Sequence, residues 1–322
     1  MTLTDIEKRF ASYHGEELSA AREFVSRHQY DSIPLYKRYC DALGLDPVQC
    51  HIPIKAFKDS AIAGFDPADS EAVFRSSGTT GTTQSTHYVK SLDVYERSIS
   101  AAFLGFFGRR RYTIMGHLPG YVENGSQSSL LYMVEHLIQR HGTAESQLFL
   151  DDIHLLSDAC ENGNPVMLFG AAFGLLNILE SHSFRLPPES IIVETGGMKT
   201  QRREISRSDL HTHLAAGFGV NEDQIWSEYG MCELLSQSYR PPGGPFRFPR
   251  WVSWKLFDPN SPLQEVHEGP GLLAVHDLAN IHTISGILTE DLAVRSDTGF
   301  EIIGRLKGSD LRGCNLLIEA AM

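Results

Sequence analysis

Ser76-Ser77-Gly78-Thr79-Thr80-Gly81-Thr82-Thr83 decides how this chain is read. The run follows Ala72-Val73-Phe74, whose apolar residues predict a short buried strand. It precedes Leu92 to Gly105, where a helix is expected with Asp93 in its cap region. A loop of glycines and small hydroxyl residues after a strand suits a polyphosphate. Glycine lets backbone N–H groups approach phosphate oxygens, and Ser/Thr hydroxyls add donors. The same composition also serves surface loops without a ligand, so the rest of the chain has to decide. Two other phosphate loops are excluded. No Gly-Lys-Ser/Thr follows, as a Walker loop requires, and the run is not a Gly-x-Gly-x-x-Gly dinucleotide fingerprint.

Outward from this loop the chain alternates. Residues 3–45 read as helical, with Ile6, Phe10, Leu18, Ala21 and Phe24 recurring near helical spacing. Pro47, Pro53 and Pro67 break the pattern before the loop. After it, strand-like segments at 112–115, 165–169, 190–194 and 225–229 alternate with helical ones at 128–138, 173–180 and 205–218. This rhythm predicts an α/β fold with a largely parallel sheet. Past Arg240, Pro241-Pro242-Gly243-Gly244-Pro245 opens a region of short strand-like pieces at 251–257, 271–276, 293–295 and 300–304. The expected organisation is an α/β core with a helical N-terminal segment over 1–240, and a β-rich subdomain with a short tail over 241–322.

Composition narrows the function classes. Of the 322 residues, 42% are hydrophobic and 21% charged, which is a globular balance in a chain large enough to bury a core without disulfides or metals. The net charge of -12 argues against nucleic acid, because phosphate contact needs Lys/Arg clusters. Arg109-Arg110-Arg111 reads as a solvated helix end. No apolar run reaches the ~18 residues a membrane span needs, and the charged N-terminus lacks the apolar stretch of a signal peptide. Cys40, Cys50, Cys160, Cys232 and Cys314 are widely spaced with no Cys-x-x-Cys pair. Reduced thiols in a cytoplasmic protein are expected, not a disulfide framework or a zinc site.

Four stretches carry a family resemblance. Ser76-Ser77-Gly78-Thr79-Thr80-Gly81 resembles the phosphate loop of adenylate-forming enzymes, the acyl-CoA synthetase and nonribosomal adenylation superfamily. Within it, the chain is similar to the acyl-protein synthetase (LuxE-type) branch, with phenylacetate–CoA ligases as more distant relatives. Glu228-Tyr229-Gly230-Met231-Cys232-Glu233 resembles the family's Tyr-Gly-Met-Thr-Glu signature, with Cys232 where threonine is usual. The resemblance implies that Tyr229 packs on adenine and Glu233 holds Mg²⁺. A ring face stacks on a base, and a hard carboxylate suits Mg²⁺ beside phosphates. Leu288-Thr289-Glu290-Asp291-Leu292, followed by Gly299 to Arg305, is similar to the family's acidic ribose-binding turn and Gly-Arg hinge. It implies that Asp291 accepts from ribose hydroxyls and that Arg305 contacts the nucleotide. Val193-Glu194-Thr195-Gly196-Gly197-Met198-Lys199 falls where the family has its adenine-flanking glycine turn. The implied cofactor set is ATP and Mg²⁺. Its nucleotide contacts are Ser76, Ser77, Gly78, Thr79, Thr80, Gly81, Thr82, Gly196, Gly197, Tyr229, Gly230, Met231, Asp291 and Arg305.

The sequence also departs from that pattern. The family carries a small mobile domain beyond the Gly-Arg hinge, with a lysine that assists adenylation, whereas 17 residues follow Arg305 here. That domain is expected to be missing or vestigial, and Lys199 and Lys307 are the candidate replacement cations. Lys307 to Leu316 resembles the C-terminal segment of acyl-protein synthetases, in which a cysteine accepts the acyl group as a thioester. Cys314 matches that position, with Arg312 near enough in sequence to lower its pKa. Cys232 is expected to pack against the nucleotide. His117, after a predicted strand, could meet the substrate carboxylate or acyl phosphate. His87 reads either as a polar wall or as a solvent-exposed residue. The expected activity is ATP-dependent activation of a carboxylic acid, fatty by resemblance, with transfer to Cys314 or a partner thiol. The implied partner is an acyl-CoA reductase-type or carrier/transferase protein. The alternatives are a ligase using coenzyme A or a carrier protein as acceptor, and a non-catalytic binding protein for a small acyl or aromatic acid.

Overall fold

The structure is a computed structural model and describes residues 1–76, 84–121, 125, 127–196 and 205–306. The chain forms two compact units. The first takes Met1–Ala101, Met231–Ser236 and the chain from Arg247 onward; the second takes Ala102–Gly230 and Gln237–Phe246.

In the first unit, the helical N-terminal stretch is α1 (Leu3–Arg9), α2 (Gly15–Ser32) and α3 (Pro34–Leu43). A 3₁₀ turn at Phe10–Ser12 interrupts it, and so does Ile33, whose extended backbone (φ -116°, ψ 99°) is what the following proline imposes. Ile6, Phe10, Leu18 and Ala21 are buried as their spacing predicts, but Phe24 is 37% exposed and lies off the apolar face. Then come β1 (Ile52–Pro53), α4 (Ala56–Asp59), β2 (Ala72–Arg75), β3 (Thr86–Val89) and α5 (Leu92–Phe107). The strand before the Ser/Thr/Gly run is β2, but it does not join a parallel sheet. It pairs antiparallel with β3, Ala72 opposite Val89 and Arg75 opposite Thr86, so the strands on either side of the run form a hairpin pair.

The β-rich region supplies β10 (Val252–Asp258), β11 (Ser261–Glu265), β12 (Pro270–Asp277), β13 (Gly286–Ser296) and β14 (Gly299–Arg305). They form one sheet with β1, ordered β1-β13-β12-β10-β11, with β14 also paired to β13. The expected acidic turn lies within β13. Leu272 pairs with Leu292 and Ala274 with Leu288, so Thr289-Glu290-Asp291 bulge opposite the single residue Leu273. Thr289 secures the bulge: its hydroxyl donates to the Leu273 carbonyl (2.7 Å) and accepts from the Asp291 N–H (3.1 Å).

In the second unit, β4 (Thr113–His117), β5 (Gln147–Leu148), β6 (Val166–Ala171), β7 (Ile191–Thr195), β8 (Ile225–Tyr229) and β9 (Ser238–Arg240) form a sheet ordered β5-β4-β6-β7-β8-β9. The pairs are parallel except the last, which is antiparallel. The crossovers run through α6 (Ser129–His141), α7 (His154–Glu161), α8 (Ala172–Ser181) and α9 (Arg207–Phe218). Leu156, Leu175, Leu210, Leu214 and Phe218 pack with Met115, Leu168, Ile192 and Ile225 into one core cluster. Alternation along a strand turns Gly116 the other way, and there a Cβ would lie 2.8 Å from Val134 of α6. The sheet is thus covered on both faces, which is why its strands read as continuous apolar runs.

Candidate active site

The second unit brings His117, Gly196, Tyr229 and Gly230, its described sequence-predicted residues, to one edge. In the parallel registers His117 is opposite Gly170, Ala171 opposite Thr195, and Thr195 opposite Glu228. His117, Ala171, Thr195-Gly196 and Glu228-Tyr229-Gly230 therefore share the carboxyl ends of adjacent strands, the usual ligand edge of an open parallel sheet. Gly196 needs its glycine, with φ at 84° and an added Cβ only 3.3 Å from the Tyr121 hydroxyl. His117 donates from Nδ1 to the Phe149 carbonyl (3.2 Å) and lies against the Phe149 ring at 4.8 Å. A carbonyl only accepts, so Nε2 keeps its lone pair. Burial lowers the pKa of His117 and favours the neutral ring. Gly174 in α8 makes this packing possible, because a Cβ there would fall 2.8 Å from the His117 ring and 2.7 Å from Pro119.

Tyr229 is seated by residues that sequence reading did not single out. Its ring meets Phe246 edge-on at 5.9 Å, and Arg207 stands 5.0 Å over the Phe246 ring. Arg207 Nε in turn lies 3.5 Å from the buried Glu194 carboxylate, which His211 also approaches at 3.4 Å. Glu228 is buried and accepts a hydrogen bond from the Thr195 hydroxyl. Burial pushes its carboxyl up to about 7; the Thr195 bond opposes that, and the charge of Glu194 adds to it. The signal for Glu228 was present in the sequence: a carboxylate in a strand with Ile225, Trp226 and Tyr229 must, if buried, be partnered or neutral.

The first unit holds the remaining described candidates. The segment 231–236 is moored by buried groups. His87 Nδ1 donates to the Cys232 carbonyl (2.6 Å), and Asn280 Nδ2 to the Glu233 carbonyl (2.8 Å). Asp277 accepts from Leu235 N (3.0 Å) and Ser236 Oγ (2.7 Å), and Trp251 Nε1 donates to Ser236 Oγ (2.9 Å). His87, read as wall or exposed, is fully buried, and its pKa falls to about 4. The Cys232 thiol donates to Glu233 Oε2 (3.2 Å), and burial raises its pKa first, then the Glu233 charge. It is a poor nucleophile by that measure. No group of three or more His, Cys, Asp or Glu among the described residues forms a metal site. Glu233 alone still fits Mg²⁺, which commonly takes one or two carboxylates and completes its shell from substrate phosphates and water.

Asp291 and Arg305 pair across β13 and β14. Arg305 lies 3.3 Å from Glu290 and 3.7 Å from Asp291, so the bulge gathers two carboxylates around one guanidinium. Ser76 closes the base of the loop: its hydroxyl accepts from Ser85 N (3.0 Å), and its carbonyl accepts from Gln84 Nε2 (2.9 Å). Ser77, Gly78, Thr79, Thr80, Gly81, Thr82, Gly197, Lys199, Lys307, Arg312 and Cys314 lie outside the described residues.

The acyl-protein synthetase family, LuxE, matches residues 124–322, more than half of the chain. The chain belongs to the LuxE acyl-protein synthetase family. This LuxE-family chain is 21% identical to the long-chain-fatty-acid–luciferin-component ligase of Vibrio harveyi over 92% of its length and 85% of that protein's. Its fold is that of adenylate-forming ligases. It superposes on 2-hydroxyisobutyryl-CoA ligase, in complex with 2-HIB-AMP and CoA, with a TM-score of 0.66, 11% identity, and coverage of 91% of this chain and 70% of that one. Against ATP-bound MatB from Rhodopseudomonas palustris the TM-score is 0.52 at 18% identity over 75% of this chain. The LuxE-family chain spans about half (49%) of that protein's length. No helix among the described residues is long and apolar enough to cross a membrane.

Proposed function

We propose that this chain activates a carboxylic acid with ATP and passes the acyl group to a thiol. The observation that carries the reading is the row of His117, Gly196 and Tyr229-Gly230 along one edge of the parallel sheet, in a chain of the LuxE family. In this reading Tyr229 stacks on adenine beside Gly196 and Gly197, with Gly230 and Met231 completing that turn. Asp291 accepts from the ribose hydroxyls. Ser76 to Thr82 donate to the polyphosphate, and Arg305 offsets its charge. Glu233 would hold Mg²⁺, which supplies charge neutralisation at the phosphates when bound. His117, neutral with Nε2 unprotonated, is assigned to meet the substrate carboxylate or the acyl phosphate.

The acid's carboxylate oxygen attacks the α-phosphorus, the bond to the β-phosphate bridge breaks, and pyrophosphate leaves. A thiolate then attacks the acyl carbon, and the C–O bond to AMP breaks. We assign the thiolate to Cys314 or to a partner protein, and the assisting cation to Lys199 or Lys307. The fatty class of the acid and an acyl-CoA reductase-type or carrier/transferase partner are proposed by analogy with the Vibrio harveyi ligase and its family. A cytoplasmic location is proposed from the unpaired cysteines.

Pyrophosphate release, measured with ATP and a panel of short- to long-chain acids, tests the activation step. Release is expected with at least one acid class, and silence across the panel would sink the proposal. Intact mass after the same incubation reads the acceptor. An acyl adduct absent from Cys314→Ser identifies the internal thiol, while undiminished product from that variant assigns the acceptor to coenzyme A or a carrier.

A further inference from the structure

His87 has no part in the reaction just described, yet it is fully buried with both ring nitrogens engaged. It stands on β3, the strand that pairs antiparallel with β2. Nδ1 meets the Cys232 carbonyl at 2.6 Å and Nε2 meets the Thr283 hydroxyl at 3.0 Å. A carbonyl only accepts, so Nδ1 carries the proton and Nε2 accepts from Thr283. This fixes one tautomer and one ring orientation.

The Cys232 carbonyl belongs to the peptide that joins Cys232 to Glu233. The next peptide is also tied, because Asn280 Nδ2 donates to the Glu233 carbonyl at 2.8 Å. Glu233 thus has both flanking peptide planes clamped by buried side chains. A mooring of this kind decides where a carboxylate can point.

We infer that His87 is a positioning residue that, from strand β3, fixes the backbone on which the Glu233 carboxylate is held. The inference rests on the nucleotide reading above. Space filling alone makes a different forecast. His87 packs edge-on against Phe57 at 5.7 Å, and if that were its whole role, substitution would lower stability and leave the response to Mg²⁺ untouched.

The test is calorimetric binding of ATP without any acid, in Mg²⁺ and in EDTA, so that the readout is the Mg²⁺-dependent gain in affinity and not turnover. In His87→Asn the amide nitrogen replaces Nδ1 and keeps the bond to the Cys232 carbonyl. In His87→Gln it replaces Nε2 and loses that bond. His87→Asn is expected to keep the gain to within about threefold, and His87→Gln to lose about tenfold or more, the usual scale for a group that orients a metal ligand. Thr283→Val, which frees the far side of the ring, should show a smaller loss in the same direction. A folded His87→Gln with the parental gain overturns the inference. Should His87→Gln fail to fold, an unchanged gain in Thr283→Val overturns it instead. A parent that binds no ATP under either condition removes the nucleotide reading and this inference with it.

Discussion

Glu228 is a carboxyl that folding holds near neutrality, raised from 4.5 to about 7 by burial. Its folded-state pKa lies above its unfolded one, so the stability linked to it is fully present below about pH 4.5 and is lost as the pH rises through 7. The full swing is about 3 kcal/mol. Glu228→Gln keeps the acceptor for Thr195 and removes the titration. Denaturant unfolding of parent and variant at pH 5 and pH 8 should show the variant gaining on the parent as pH rises. A pH-independent difference would refute this. The half-buried His51 and the buried His87 and His276, depressed to about 4, about 4 and about 3, act with the opposite sign and cancel in the comparison. At this scale the strand-end placement of Tyr229, Gly196 and His117 was legible, because the signature and the strand ends are local in sequence. Phe246, Arg207 and Asn280 were not, because each works through a partner more than 15 residues away that no local pattern announces.

Among elements, the parallel strands and their crossover helices were legible because both sheet faces are covered and the apolar runs are unbroken. α7 escaped because eight residues are barely two turns, too short for periodicity to register. The bulge in β13 looked like a turn because acidic residues in mid-strand read as turn formers, and the pairing that accommodates them lies on β12. Helix glycines give a paired forecast. In α5 a Cβ at Gly105 would meet nothing within 4 Å, so Gly105→Ala should stabilise by about 0.5–1 kcal/mol through helix propensity. In α8 the same change at Gly174 gains that propensity but drives a Cβ to 2.7 Å from Pro119 and 2.8 Å from His117. Overpacking of about 1–3 kcal/mol should win there. Urea unfolding of the two variants should give shifts of opposite sign. Two shifts of the same sign would show that the His117–Pro119 loop yields freely.

For the whole molecule, thiol accessibility can be forecast. Cys40, Cys50 and Cys232 are buried, and Cys160 is half-buried with its thiol pushed up to about 11. At pH 7.5 the native protein should therefore take up iodoacetamide slowly at these four positions and rapidly only after unfolding in urea. Peptide mapping that found Cys232 modified quickly in the native state would contradict its place in the fold. The expectation of reduced thiols was legible from spacing alone, but their differing protection was not, because burial is a property of packing.

The second unit's sheet closes with β9, which reaches β8 only after the chain has left that unit for 231–236 and come back. A truncated gene product ending at Gly230 would retain the four long parallel strands and lose that cover. The outer edge of Ile225–Tyr229 would then carry bare N–H and C=O groups beside apolar side chains, a template for another strand. The return loop of Gln237–Phe246 is therefore also a guard against self-association, and fragments for biophysical work should be cut beyond it.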